Sequence, residues 1–178
     1  MEELKNSKIL TKSEQLEFIE ELFHEDSNFS KKKLETKLLY RASRDGDISR
    51  IFHRICDNIK DTITLVKTKK GYIFGGYTSE SWDGNAYKKD DKAFCFSIDL
   101  KKKYNSKKTS NSIYCSLGIG PCFGDAFFWV NNRCFSEGGV ITEKLNTCYD
   151  NQKEEKEINK GDQKFEIEEV EVFHVIFS

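Results

Sequence analysis

Gly75 and Gly76 stand side by side in a stretch whose other members, Tyr72, Ile73, Phe74 and Tyr77, are the aromatic and β-branched types that suit a pleated strand. Glycine weakens a strand and costs entropy unless a bulge or a close backbone approach requires it. Two in succession therefore limit the fold to sheets that bend or press closely on a neighbour at this point. The stretch opens on Lys69-Lys70-Gly71, which follows the β-rich run Thr62-Ile63-Thr64-Leu65-Val66 and supplies a glycine where a tight hairpin needs positive φ. It closes on Thr78-Ser79-Glu80-Ser81-Trp82, three hydroxyls around a carboxylate, ending in one of two tryptophans. A bent strand with a polar, aromatic-flanked tip can serve recognition, and it can equally form a corner of a β-sandwich.

From Asp61 onward the pattern is almost wholly β. Ala93 to Ile98 reads as a strand with Phe94, Phe96 and Ile98 on one face, and 112–116 as another. Asp125 to Val130 is apolar on both faces. Between these strands, Gly118 to Gly124 has no Lys-Ser/Thr for a P-loop and precedes no helix, so its glycines make a tight crossing that Pro121, the only proline, stiffens. Residues 133–163 read as irregular. In the last segment, Phe165 to Phe177, the apolar parity slips near Glu168-Glu169, which predicts a β-bulge. Beyond it, Val172, Phe173, Val175 and Phe177 predict a central strand covered on both faces.

The N-terminal part is different. Residues 1–10 read as a weakly held leader. Thr11 with Glu14 forms a capping box for a helix over 11–23, where Leu16, Ile19 and Phe23 share a face. A mobile polar connection then leads to a strand at Leu38 to Ala42. Asp45 or Asp47 caps a second helix with the stripe Ile48, Ile51, Phe52 and Ile55, ending near Cys56-Asp57-Asn58. The expected organisation is a single domain over 1–178, mostly β within an α+β class, with one helix inserted into a core spanning 38–178.

The formal charge of −1 gives no field that would gather nucleic acid, although 33% of residues are charged. No apolar run is long enough to span a bilayer, and the N-terminus has no apolar signal region, which points to the cytosol or nucleus. In that setting Cys56, Cys95, Cys115, Cys122, Cys134 and Cys148 are thiols. None is spaced as C-x-x-C, and the Cys and His spacings fit no zinc template, so no metal or cofactor is expected. His24, His53 and His174 adjoin no nucleophile motif, which leaves Ser79 a weak hydrolase candidate. Glu80 with Asp83 is read as capping or loop hydrogen bonding before acid–base chemistry. Cys122 and Cys134 lie near turns, where a reactive thiol would need exposure and a lowered pKa.

Five blocks in order, LLYRASRDG (38–46), KTKKGYIFGGYTSESW (67–82), DKAFCFSIDLKKKY (91–104), SIYCSLGIGPCFG (112–124) and FEIEEVEVFHV (165–175), closely resemble the TLDc domain family. SKILTKSEQLEFIEELF (7–23) resembles the helix that precedes that family's first strand, and GPCFG is most similar to protist, stand-alone versions. The resemblance implies a sandwich of two antiparallel β-sheets flanked by helices. It also implies a cytosolic, oxidation-resistance-like protein linked to oxidative-stress protection, some of whose relatives bind the vacuolar proton-pumping ATPase. No reaction is established for the family, so no catalytic residue is carried over. Its recurrent positions map onto Gly75, Gly76, Gly120, Pro121, Gly124, Glu169, Glu171 and Phe173, and its polar strand end onto Ser79 and Glu80. The resulting expectation is a monomeric, non-catalytic binding module whose partner, such as pump subunits, contacts Thr78, Ser79, Glu80 and Trp82. The alternative is a thiol antioxidant or a hydrolase.

Overall fold

A computed structural model describes residues 3–25, 29–30, 32–107, 111–125, 127–142, 148–150 and 157–178. Two antiparallel sheets pack face to face. The first carries the longer strands, in the order β1 (Leu34–Arg41), β12 (Ile167–Phe177), β2 (Thr62–Thr68), β3 (Ile73–Thr78), β5 (Phe94–Ser97) and β6 (Lys102–Asn105). The second is built from pieces of two or three residues: β11 (Lys164–Phe165), β10 (Gly139–Ile141), β9 (Phe128–Val130), β8 (Cys122–Phe123), β7 (Ile113–Tyr114) and β4 (Tyr87–Lys88). The helical segments are α1 (Ser13–His24), α2 (Ala42–Asp45), α3 (Ser49–Cys56) and α4 (Cys134–Glu137).

Both faces of the first sheet are covered. Towards the second sheet it presents Val66, Phe74, Cys95, Val170 and Val172, which join Trp82, Phe123, Phe128 and Phe165 in one buried cluster. On its outer face Ile63, Leu65, Tyr77, Phe94, Phe96, Phe173 and Val175 meet Leu4, Ile9, Leu10, Ile19, Leu22 and Phe23 from the N-terminal segment. Phe23 is the keystone of that outer layer, edge-on to Tyr77 at 5.1 Å and to Phe94 at 5.3 Å. Burying one such ring contributes about 1.5–3 kcal/mol.

The leader is therefore a structural strap and no loose end. The Glu171 carboxylate, fully buried in β12, accepts from Arg41 Nε at 2.6 Å and from the Lys8 amide at 3.0 Å. Its other oxygen accepts from Ser7 Oγ at 2.5 Å, and that hydroxyl in turn receives the amides of Ile9 and Leu10. Leu4, Ile9 and Leu10 are buried as a result.

Several boundaries differ from the sequence reading. Helix α1 starts at Ser13, and Gln15, not Glu14, reaches back to the amides of Thr11 and Lys12, at 2.9 and 3.1 Å. The first strand begins four residues before Leu38, because its pairing with β12 runs from Leu34 opposite Phe177. The connection before it contributes Phe29, buried against Phe23; residues 26–28 and 31 lie outside the described residues. Asp45 accepts from the Arg41 amide at 2.9 Å, and α3 starts after Ile48, so neither aspartate caps it. Among the described residues three α-helical segments, α2, α3 and α4, follow β1 where one was expected. The region read as irregular holds α4 and β10, while residues 153–156 of the charged run 153–160 lie outside the described residues.

The predicted bulge is present. Pairing with β2 shifts between Ile167 and Glu169, which keeps Ile167, Val170 and Val172 all facing the inter-sheet core. Phe165, however, belongs to the second sheet, so the chain changes sheets at Glu166 where the sequence reads as one continuous strand.

A tethered strand end at the edge of the sandwich

Register through β2, β3 and β5 is continuous at Gly75 and Gly76, so the pair makes no bulge and no bend. Close approach explains them. A Cβ on Gly75 would lie 1.9 Å from the Thr64 carbonyl oxygen, and one on Gly76 would lie 2.6 to 2.8 Å from three ring atoms of Phe123 in the opposite sheet. Gly120 performs the same service for Val130, whose side chain would sit 3.2 Å from an added Cβ. Its amide donates to the Val130 carbonyl, and the Pro121 carbonyl receives the Val130 amide. Gly124 has φ +70°, and an added Cβ would crowd Phe127, Tyr149 and Cys148.

The strand end that follows divides into buried and accessible parts. Thr78 and Trp82 are fully buried. Trp82 donates its Nε1–H to Thr62 Oγ1 at 2.9 Å and packs edge-on against Phe52 and Phe123. These two side chains are core, which leaves half-buried Ser79 and Glu80 as the pair a partner can reach. The Glu80 amide donates to Thr78 Oγ1 at 3.1 Å, and Thr78 and Ser79 are in turn held by Asp90, a residue the sequence reading passed over. Its buried carboxylate accepts from Thr78 Oγ1 at 2.7 Å, the Ser79 amide at 2.6 Å, Ser79 Oγ at 2.8 Å and the Lys92 amide at 3.0 Å. Its backbone is held through Ser112 Oγ, which receives the Asp90 amide and donates to the Asp90 carbonyl. The Lys92 contact is local, but the strand-end partners of Asp90 lie 11 and 12 residues back across a sheet change. Glu80 Oε1 faces Lys60 Nζ at 3.7 Å. Lys88 Nζ gathers the Ser81 carbonyl at 2.6 Å and Asp83 Oδ1 at 2.9 Å, and the Ser81 hydroxyl and then Lys88 hold the Asp83 carboxyl below its usual range.

A second polar seam runs along α3. Ser49, His53 and Asp57 recur at four-residue spacing and so share one helix face. Ser49 Oγ donates to the Leu117 carbonyl at 2.6 Å, and His53 lies between Asp57 Oδ1 at 2.7 Å and the carbonyls of Ser116 and Ile119 at 2.8 and 3.0 Å. The spacing resembles a catalytic series, but Ser49 and His53 each bond the backbone of the 116–119 turn. Their job is to pin that turn to the helix. Ser79 is bound to a carboxylate and likewise has no imidazole partner among the described residues for nucleophilic chemistry.

The family model of the TLDc domain matches residues 4–176. The chain belongs to the TLDc domain family. It is also 33% identical over 63 residues to the MTOR-associated protein MEAK7 of Danio rerio. That match covers 35% of this chain and 14% of the fish protein, so the two share one segment of a much longer chain.

Within this TLDc domain the remaining family positions are structural. Glu169 accepts the amides of Ser43 and Val170, both at 3.1 Å, tying α2 to β12; Glu171 holds the leader; Phe173 fills the outer core. All six cysteines are buried thiols, Cys122 and Cys134 included. Burial, the first cause in each case, pushes the thiol of Cys115 up to about 11 and that of Cys134 up to about 12, and also raises Cys56 and Cys95. A thiolate nucleophile needs the opposite shift and an open path, so this geometry opposes the antioxidant alternative. Among the described residues no helix is long and apolar enough to cross a membrane, and no three His, Cys, Asp or Glu side chains converge as a metal site.

Proposed function

We propose that this TLDc domain is a non-catalytic binding module that docks on a protein partner through Ser79 and Glu80. The partner proposed is the vacuolar proton-pumping ATPase, with the domain acting as a cytosolic monomer in oxidative-stress protection. The observation that carries the reading is the tether itself. Three donors of the strand end, Thr78 Oγ1 with the Ser79 amide and hydroxyl, bind Asp90, and the Glu80 amide binds Thr78 Oγ1, so the Ser79 hydroxyl and the backbone that carries Glu80 are held in one geometry before any partner arrives. Preorganisation of that kind lowers the ordering cost of association. The name of the fish relative associates that protein with another protein, which supports the same class of role for this domain.

Affinity purification from lysate followed by mass spectrometry tests the proposal. Pump subunits are expected with the unaltered domain, and their recovery falls several-fold with Glu80→Ala while the melting temperature is unchanged. Recovery of no pump subunit by folded protein overturns the assignment of the partner. Trp82→Ala is unsuitable as a contact variant, because removing a fully buried ring costs about 3–5 kcal/mol.

A further inference from the structure

Beside the tethered strand end lies an open cleft of about 600 Å³, lined by Asp57, Gly84, Asn85, Ser116 and Leu117. Its volume is within the range of about 300–1,000 Å³ that small-molecule sites occupy. One wall is rigid by construction. The carbonyls of Ser116 and Leu117 are committed to His53 and Ser49, so the turn is locked onto α3 while the Leu117 side chain is left 56% exposed. The charges are unequal. Asp83 is matched by Lys88 and Glu80 faces Lys60, but Asp57 meets only the His53 ring, through Oδ1. Its second oxygen has no partner among the described residues.

We propose that this cleft receives a cationic side chain, arginine or lysine, presented beside an apolar residue on a protein partner. The ammonium or guanidinium pairs with Asp57, the Asn85 amide offers a further hydrogen bond, and the neighbouring apolar residue covers Leu117. The proposal rests on the binding-module reading and names its recognition chemistry; it does not depend on the identity of the partner.

The test uses the whole chain and two probes, Nα-acetylarginine methylamide and its uncharged citrulline counterpart, followed through backbone amide resonances. Saturable shifts centred on Gly84, Asn85 and Leu117 are expected with the arginine probe and not with citrulline. Asp57→Asn removes a charge-assisted hydrogen bond and weakens the arginine probe by about tenfold or more. Because Asp57 also holds His53, Leu117→Arg is the second variant; the site is exposed, so the fold survives, and the added cation abolishes binding. Absent shifts, shifts elsewhere, or equal response to citrulline overturn the proposal. Lysate purification with the same variants separates the two ideas. Pump subunits recovered while the arginine probe gives no saturable shift sink the cleft and spare the module, whereas arginine binding without pump recovery spares the cleft and removes the pump.

Discussion

Gly75 and Gly76 look interchangeable in sequence, yet they face opposite layers. An added methyl at Gly76 meets a phenyl ring that can shift by tenths of an ångström, whereas at Gly75 it meets a backbone carbonyl that cannot shift without breaking the β2–β3 ladder. Gly76→Ala should therefore cost about 1–3 kcal/mol, the usual overpacking range, and Gly75→Ala distinctly more. Urea unfolding of the two variants checks the order, and equal midpoints would contradict the assignment of the clashes. Asp90 makes the same point for polar groups. Its worth comes from the Thr78 and Ser79 donors that the fold assembles, and nothing in the sequence near Asp90 signals it.

At the scale of elements, the N-terminal strap and α1 act as a third layer. The apolar face of α1 is visible in the sequence, but the leader reads as weakly held because its anchor is a glutamate over 160 positions away. Arg41 and Glu171 form an ion pair with side chains only 12% and 0% exposed. Removing one partner of such a pair strands the other and costs about 3–5 kcal/mol. Glu171→Ala should fall in that range, and amide exchange at Lys8, Ile9 and Leu10 should accelerate more than exchange within β2 and β3. Uniform acceleration across the chain would mean that Glu171 supports the sheet as a whole and is no specific anchor for the strap. The bulge at Glu168 is the complementary case. It was legible because the parity of apolar residues slipped, and parity is a local property.

For the whole molecule, two apolar layers share one sheet, and all six thiols lie inside. Folded protein near neutral pH should therefore react slowly at every cysteine with an excess of a disulfide reagent, and quickly once denaturant is added; one fast-reacting thiol would revive the antioxidant alternative. Raised thiol pKa values also set a sign for alkaline stability. The folded state keeps Cys115 and Cys134 protonated beyond the ordinary value of 9.0, so their contribution is complete below about pH 9. It is lost as pH rises towards 11 and 12, because the unfolded chain releases those protons first. Urea midpoints measured up the alkaline range should fall, and Cys134→Ala should flatten the slope.

The sequence alone determined the β-rich class, the long strands buried on both faces, the bulge and the membership in a family, because periodicity and ordered motifs are carried by neighbouring residues. Of the second sheet it showed β7, within 112–116, and β9, within 125–130, but not β4, β8 or β10. Strands of two or three residues have too few side chains to show a period, and they exist only because the first sheet offers Gly76, Phe74 and Val66 to pack against. Tertiary structure also decided which part of the strand end faces solvent, sending Thr78 and Trp82 inward and leaving Ser79 and Glu80 at the surface. Burial depends on contacts between distant segments, and no residue type in that stretch encodes it.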